Sequence, residues 1–139
     1  MNILFFLTPK AEVACINAEA TLRQVLEKLD NSGYAAIPII SKEGKYVGTI
    51  TEGDLLWFIK REENLTLVDA EDIPISKIKR KKDNKAISIT ENMDGLWDKV
   101  INQNFVPVVD DDNIFIGIVT RKDIMLHAMK QCEDDTLNN

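Results

Sequence analysis

Two stretches of the chain carry the same pattern of residues. Residues 47–55 and 116–124 both read apolar, Gly, two strand-forming residues, Thr, two variable residues, Asp, apolar. The copies are 69 residues apart at four landmarks: Gly48 and Gly117, Thr51 and Thr120, Asp54 and Asp123, and Pro38 and Pro107. A constant offset over several landmarks indicates an internal duplication, so the chain has to fold one short unit twice.

Each copy is predicted to form strand, helix, strand, strand, helix. In the first copy these elements are predicted at 13–17, 21–31, 35–40, 45–51 and 52–61. In the second copy they are predicted at 86–89, 92–103, 105–110, 114–120 and 121–131. The fold class is therefore α/β in the broad sense (α+β), with two β-α-β-β-α repeats. Pro38 and Pro107 fall inside strands, which predicts an edge, a strand start or a bulge at each.

The predicted organisation is a first repeat over 1–67 that includes the N-terminal segment, a linker over 68–85, a second repeat over 86–132 and a flexible tail over 133–139. The linker should contain a short helical turn at 73–78 and a solvated basic cluster. A repeat of this size is marginal alone. We therefore expect the two repeats to share one core.

Composition excludes several classes of protein. The net charge is −6 in 139 residues, which argues against a general electrostatic surface for nucleic acid or anionic membrane. The two cysteines lie far apart without metal-ligand spacing, so we expect neither a disulfide framework nor a metal site. The apolar run at 3–7 is too short to span a membrane. We expect a cytoplasmic protein without a cofactor.

The repeated Thr and Asp allow two interpretations. Thr51 and Thr120 each precede a predicted helix, where Thr can cap the first turn and an Asp three residues later complements the helix dipole. That interpretation leaves Gly48 and Gly117 unexplained, since glycine inside a strand usually marks a close approach of another group. A helix N-terminus with a hydroxyl and a carboxylate also suits the phosphate and ribose of a nucleotide.

The chain resembles a tandem pair of CBS domains, the Bateman module, over about residues 8–131. The resemblance is carried by "GYAAIPIIS" and "QNFVPVVDD", and by "GTITEGDLL" and "GIVTRKDIM". It implies a pseudo-twofold module with two clefts that hold adenosyl ligands, with Asp54 and Asp123 on ribose and Thr51 and Thr120 on ribose or phosphate. Lys122 would reach phosphate, helped by the neighbouring Arg121. The base pocket would be lined by Ala35, Ala36, Ile37, Asn104, Phe105 and Val106.

The resemblance implies a regulatory sensor of AMP, ADP, ATP or a related ligand, not an enzyme. One histidine, His127, offers no nucleophile–base set, and we expect it at the surface or at a helix cap. The output would pass through an unknown protein partner or through a homodimer, for which the apolar residues after each Thr/Asp motif offer surface. The alternatives are a cyclic di-AMP receptor, a ligand-free interaction module and, least favoured, an enzyme acting on the nucleotide. S-adenosylmethionine would meet the same Thr and Asp pattern.

Overall fold

The computed structural model describes residues 2–62 and 65–137. In chain order the strands are β1 (Thr8–Pro9), β2 (Ile16–Asn17), β3 (Ala36–Ile40), β4 (Tyr46–Thr51), β5 (Ile87–Ser88), β6 (Phe105–Val109) and β7 (Phe115–Thr120). The α-helices are α1 (Leu22–Ser32), α2 (Glu52–Arg61), α3 (Leu67–Asp72), α4 (Met93–Asn102) and α5 (Arg121–Leu137). Within these ranges no helix is both long and apolar enough to cross a membrane.

The chain divides into two compact units. The N-terminal unit is Ala14–Asn84, and the C-terminal unit combines Met1–Val13 with Lys85–Asn139. The sequence predicted the first residues as part of the first repeat. The structure places them with the second instead, because β1 pairs with β7 and because Ile3 and Phe6 are buried in the core of the C-terminal unit.

Each unit contains one mixed sheet. In the N-terminal unit the strand order is β2-β3-β4, with β2 parallel and β4 antiparallel to the central β3. In the C-terminal unit the order is β1-β7-β6-β5, so the same three-strand pattern carries an additional strand at the β7 edge. The α+β class and the strand–helix–strand–strand–helix order of both repeats are confirmed.

The expectation of one shared core is corrected, because the buried apolar residues form two clusters. In the N-terminal unit, Leu22, Val25 and Leu29 of α1 pack with strand residues and with linker residues such as Ile75. The C-terminal unit has a separate cluster. Segments from outside the repeats supply the missing apolar surface, namely residues 70–78 in one unit and residues 3–6 in the other. Because these segments pack against the repeats, each short repeat can bury a core of its own.

Helix boundaries follow local chemistry. Thr21 and Gln24 form the predicted capping box at the start of α1, each side chain bonded to the other residue's backbone amide. The predicted turn in the linker is confirmed as a 3-10 helix at Ile75–Lys77. The sequence missed α3, and it ended the last helix near residue 131 whereas α5 continues to Leu137. The described part of the predicted tail is therefore helical.

The two strand prolines occupy equivalent positions. Pro38 pairs across the sheet with Thr49, and Pro107 with Ile118. The neighbouring parallel strands begin to pair only one residue further along, at Ile39 and Val108. Each proline thus lies in a central strand at a position where only one neighbouring strand is paired. It is locally an edge residue, so its missing amide costs the sheet no hydrogen bond.

Gly48 and Gly117 are each covered by another part of the chain. Gly117 lies opposite Pro9 in the β1–β7 pair, and a Cβ there would meet the carbonyl oxygen of Thr8. A Cβ on Gly48 would lie 2.6–2.7 Å from the carboxyl atoms of Asp83. The predicted close approach at both glycines exists, but the group that approaches belongs to the chain itself and requires no ligand.

The two glycines should respond differently to substitution by alanine. Gly117→Ala should lower the free energy of unfolding by about 2 kcal/mol or more, because the obstructing group is backbone in a paired strand. Gly48→Ala should cost only about 1 kcal/mol, because the Asp83 side chain can turn away at the loss of its hydrogen bonds. Urea denaturation followed by circular dichroism measures both values. Equal costs, or a larger cost at Gly48, would contradict this assignment.

Candidate functional site

Each repeat places its Thr/Asp motif where a strand passes directly into a helix. β4 ends at Thr51 and β7 ends at Thr120, and α2 and α5 begin at the following residues. The first helical amide donates to a carbonyl just before the neighbouring strand: Glu52 N to Ala35 O and Arg121 N to Asn104 O, both at 2.9 Å. These equivalent bonds tie the predicted base-pocket segment to the helix N-terminus in each unit.

We name the two arrangements by their units. The N-terminal half-site contains Ala35, Ala36, Thr51 and Asp54. The C-terminal half-site contains Asn104, Phe105, Thr120, Lys122 and Asp123. Within each, strand pairing brings the motif beside the pocket segment, since Ala36 is opposite Thr51 and Phe105 is opposite Thr120.

Two of the predicted pocket residues have their side chains in the cores. Ile37 and Val106 are fully buried and belong to the core clusters of their units. Both faces of β3 and β6 are covered, so a residue one step into either strand loses access to the surface. Ala35 and Asn104 remain exposed, and Phe105 is buried at the edge of its half-site. The structure therefore corrects Ile37 and Val106 from pocket lining to core.

The N-terminal half-site is closed by hydrogen bonds within its own unit. Thr51 and Asp54 form a reciprocal capping box, with Asp54 N donating to Thr51 Oγ1 and Thr51 N donating to Asp54 Oδ2, each at 3.1 Å. The other carboxylate oxygen, Oδ1, accepts from Lys81 N at 3.0 Å. The Asp54 residue is only 6% exposed. The helix-capping interpretation therefore accounts for this copy of the motif.

The C-terminal half-site is open by comparison. Asp123 N donates to Thr120 Oγ1 at 3.1 Å, which repeats one half of the capping box. The Asp123 carboxylate is exposed and accepts no hydrogen bond from the described residues. Lys122 is also exposed beside it. A hydroxyl, a free carboxylate and an ammonium group thus share the first turn of α5.

Arg121 has a different role from the predicted one. Its guanidinium donates to Val100 O at 2.7 Å, Ile101 O at 3.1 Å and Asn104 Oδ1 at 3.1 Å. These are acceptors at and just beyond the C-terminal end of α4, where unpaired carbonyls favour a cation. Arg121 therefore anchors α4 to the strand-to-helix junction, since each of its three guanidinium nitrogens donates to an acceptor of the protein.

A polar network lies along β4 in the N-terminal unit. Asp83 accepts from Arg80 Nε and Nη2 at 2.8 and 3.2 Å and from Thr49 N at 3.0 Å. Tyr46 Oη donates to Asn84 O at 2.6 Å and shares a hydrogen bond of 2.7 Å with Thr49 Oγ1. Thr49 Oγ1 accepts from Asn84 N at 3.3 Å. The network holds the end of the linker against the strand.

Burial and the hydrogen bonds of this network shift the pKa values of three of its groups. Burial raises the pKa of the Tyr46 phenol to about 12, and the nearby Asp83 charge acts in the same direction. Burial also acts to raise the pKa of Asp83, but the hydrogen bonds from Arg80 and from the Thr49 amide lower it below its ordinary value. The hydrogen bond to Asp83 raises the pKa of Arg80. Arg80 and Asp83 thus stay charged together.

Sequence reasoning assigned the whole basic cluster to a solvated linker and missed this network. Five of its cations are exposed as expected: Lys77, Lys79, Lys81, Lys82 and Lys85. Arg80 is the exception, since it pairs with Asp83 over Gly48. The sequence did contain a signal, because Asp83 follows Arg80 at a spacing of three and the strand residue Gly48 had no assigned contact. It does not show that these two segments meet.

Other residues singled out by sequence are also placed. His127 contacts Phe5 and Phe6 in edge-on ring pairs with centroid distances of 5.2 and 5.3 Å, so it holds the N-terminal segment rather than capping a helix. Trp97 contacts Phe6 at 6.2 Å between centroids. Trp57 is 49% exposed, beneath the Lys60 ammonium.

The sequence profile of the CBS domain matches residues 7–61 and 70–130, which together cover most of the chain. The chain belongs to the CBS domain family. The predicted tandem pair is therefore confirmed, and the two matched regions correspond to the two copies of the Thr/Asp motif.

The curated relatives that match this chain are much longer proteins. Inosine-5'-monophosphate dehydrogenase of Escherichia coli K12 is 26% identical over 130 residues, covering 83% of this chain and 22% of the enzyme. The enzyme of the same name from Methanocaldococcus jannaschii is 22% identical over 114 residues, covering 82% of this chain and 21% of the enzyme. This chain spans about a fifth of the length of these relatives.

Solved structures include CBS proteins of similar size. CbpB in complex with c-di-AMP is 27% identical, with a TM-score of 0.87, and the match covers 100% of this chain and 91% of that one. CbpB of Streptococcus agalactiae is 28% identical, with a TM-score of 0.81 and coverage of 99% and 85%. CBSX2 in complex with AMP shares only the fold, at 19% identity, a TM-score of 0.67 and coverage of 93% and 96%.

The two aspartates should differ in their contribution to stability. Asp54→Ala leaves the amides of Thr51 and Lys81 without their acceptor in a partly buried site and should lower the free energy of unfolding by about 2 kcal/mol. Asp123→Ala removes an exposed charge from the first turn of α5 and should cost about 0.5 kcal/mol. Thermal and urea unfolding of the ligand-free variants measures both. A loss at Asp123 equal to that at Asp54 would mean that the two half-sites are not distinct in this way.

Proposed function

We propose that the chain is a regulatory module that binds an adenine nucleotide and transmits its occupancy to a partner protein or to a second copy of itself. One observation carries the proposal. The C-terminal half-site presents the exposed Asp123 carboxylate, without a protein partner among the described residues, at the N-terminus of α5. A capping role alone does not require a free carboxylate at this position.

The chemistry of the C-terminal half-site matches the parts of a nucleotide. The Arg121 and Asp123 amides already donate to Asn104 O and Thr120 Oγ1. The Lys122 ammonium at the positive end of the α5 dipole can bind phosphate oxygens. The Asp123 carboxylate can accept ribose hydroxyls through charge-assisted hydrogen bonds, namely both hydroxyls of a mononucleotide or the one free 2′-hydroxyl of a ribose in c-di-AMP. We assign Thr120 to ribose or phosphate and the Asn104–Phe105 segment to the base. Each assigned group is thus complementary in charge or polarity to the ligand group that it would contact.

Relatives narrow the choice of ligand to be tested. The CbpB structure that covers this whole chain at 27% identity contains c-di-AMP. The more distant CBSX2 structure contains AMP. Both ligands carry the adenine, ribose and phosphate that the proposed contacts require, as do ADP and ATP. We therefore propose an adenine-nucleotide ligand and place c-di-AMP and AMP first among those to be tested.

We infer regulation rather than catalysis. The enzyme relatives match over only about a fifth of their length. In this chain the single histidine packs against Phe5 and Phe6 in the C-terminal unit. The proposed setting is the cytoplasm. A homodimer is proposed from the exposed apolar side chains on α2 and α5: Leu56, Trp57, Ile59, Met125, Leu126 and Met129.

A second candidate function is a ligand-free interaction module. The observation that favours it is the closed capping box of Thr51 and Asp54, which leaves the first copy of the motif with a purely structural role. The second copy distinguishes the two proposals, because Asp54 accepts hydrogen bonds from two amides whereas Asp123 accepts none from the described residues.

Isothermal titration calorimetry with c-di-AMP, AMP, ADP, ATP and S-adenosylmethionine tests the proposal. At least one adenine nucleotide should bind, and Asp123→Ala should weaken the tightest binding step by about 10- to 100-fold, since hydrogen bonds to a charged acceptor are lost. Asp111→Ala is the matched control, because it removes an exposed carboxylate from the β6–β7 turn of the same unit. No binding by the folded wild type, or equal binding by both variants, would contradict the proposal.

A further inference from the structure

The segment at 80–84 lies directly over the N-terminal half-site. Its residue Lys81 donates its backbone amide to Asp54 Oδ1 at 3.0 Å. This is the carboxylate that corresponds, across the duplication, to the free Asp123. A protein amide thus occupies the position at which the equivalent carboxylate of the C-terminal half-site is open to a ligand.

Several bonds on the same segment hold it in place. Asp83 is paired with Arg80 and accepts from Thr49 N, and Asn84 N donates to Thr49 Oγ1. The Arg80 and Asp83 side chains are 25% and 39% exposed, so the pair is at the surface and can open. Surface pairs of this kind contribute little to stability and are readily exchanged for water.

Gly48 allows the segment to sit this close. The carboxyl group of Asp83 fills the space that a Cβ on Gly48 would need, at 2.6–2.7 Å. In the C-terminal unit the corresponding space over Gly117 is filled by backbone, because β1 pairs with β7 there. The cover over β4 is therefore held by side chains, whereas the cover over β7 is a strand in the sheet.

We propose that the 80–84 segment is an autoinhibitory latch on the N-terminal half-site. Resting on the proposed nucleotide function, the inference is that ribose hydroxyls reach Asp54 only after Lys81 N has been displaced, since Asp54 is 6% exposed. Because nucleotide can bind there only when the latch is open, the apparent affinity of this half-site is its intrinsic affinity multiplied by the fraction of molecules with an open latch. Nucleotide bound there releases the end of the linker that leads into β5.

The latch is tested in a background where the C-terminal half-site is weakened. In Asp123→Ala protein, adding Asp83→Asn should tighten the binding of c-di-AMP or AMP by about 3- to 10-fold, because the Arg80 pair is lost and the open fraction rises. Adding Asp54→Ala to the double variant should abolish the gain. Gly48→Ala should reproduce the gain by pushing Asp83 away from the strand. Asp111→Asn is the control of equal charge change.

Hydrogen exchange of backbone amides measures the opening of the latch in the absence of any ligand. The amides of Lys81, Thr49 and Asn84 should exchange at least several-fold faster in Asp83→Asn than in wild type, while the paired amides of β7 stay unchanged. Unchanged exchange at all three would overturn the latch, even if nucleotide binds to the C-terminal half-site. Faster exchange without tighter binding in the Asp83→Asn variant would overturn its inhibitory role. If the wild type binds no nucleotide, the proposed function is overturned. The exchange rates would still test whether the 80–84 segment is held as described.

Discussion

The outer edge of one strand in each repeat has to be covered, and much of the structure depends on how this is done. A strand edge leaves backbone groups without partners and exposes a surface for unwanted pairing. β7 is covered by main-chain pairing with Thr8–Pro9. β4 is covered by the side chain of Asp83 and by Asn84. In both cases the covering segment comes from outside the repeat, and a glycine in the covered strand gives it room.

This requirement makes the two copies of one motif unequal. The segment that covers β4 continues onto the helix N-terminus, where Lys81 N satisfies Asp54. In the C-terminal unit the described residues provide no such donor for Asp123, and its carboxylate remains exposed. The same Thr and Asp thus cap a helix in one unit and in the other combine a cap with a free acceptor. The difference lies in the neighbouring segments, not in the motif.

Local sequence was sufficient for the five repeated elements of each copy and for the family, and insufficient for helix α3 and for the contacts between distant segments. The duplication, the capping box at Thr21, the edge prolines and the position of Thr51 and Thr120 followed from periodicity and spacing. The sequence could not show that residues 3–9 pack with the second repeat or that Asp83 fills the space over Gly48. Arg121 was misjudged for the same reason, because its acceptors near the end of α4 lie 17–21 positions earlier in the chain.

We propose that the C-terminal half-site binds nucleotide first and that the N-terminal half-site follows only when the 80–84 segment opens. A nuclear magnetic resonance titration of the ¹⁵N-labelled wild type with c-di-AMP, repeated with AMP, tests it most directly. The amides of Thr120, Lys122 and Asp123 should reach saturation at a lower nucleotide concentration than those of Thr51, Asp54 and Lys81. Saturation of both groups at the same concentration, or of the Asp54 group first, would contradict the account.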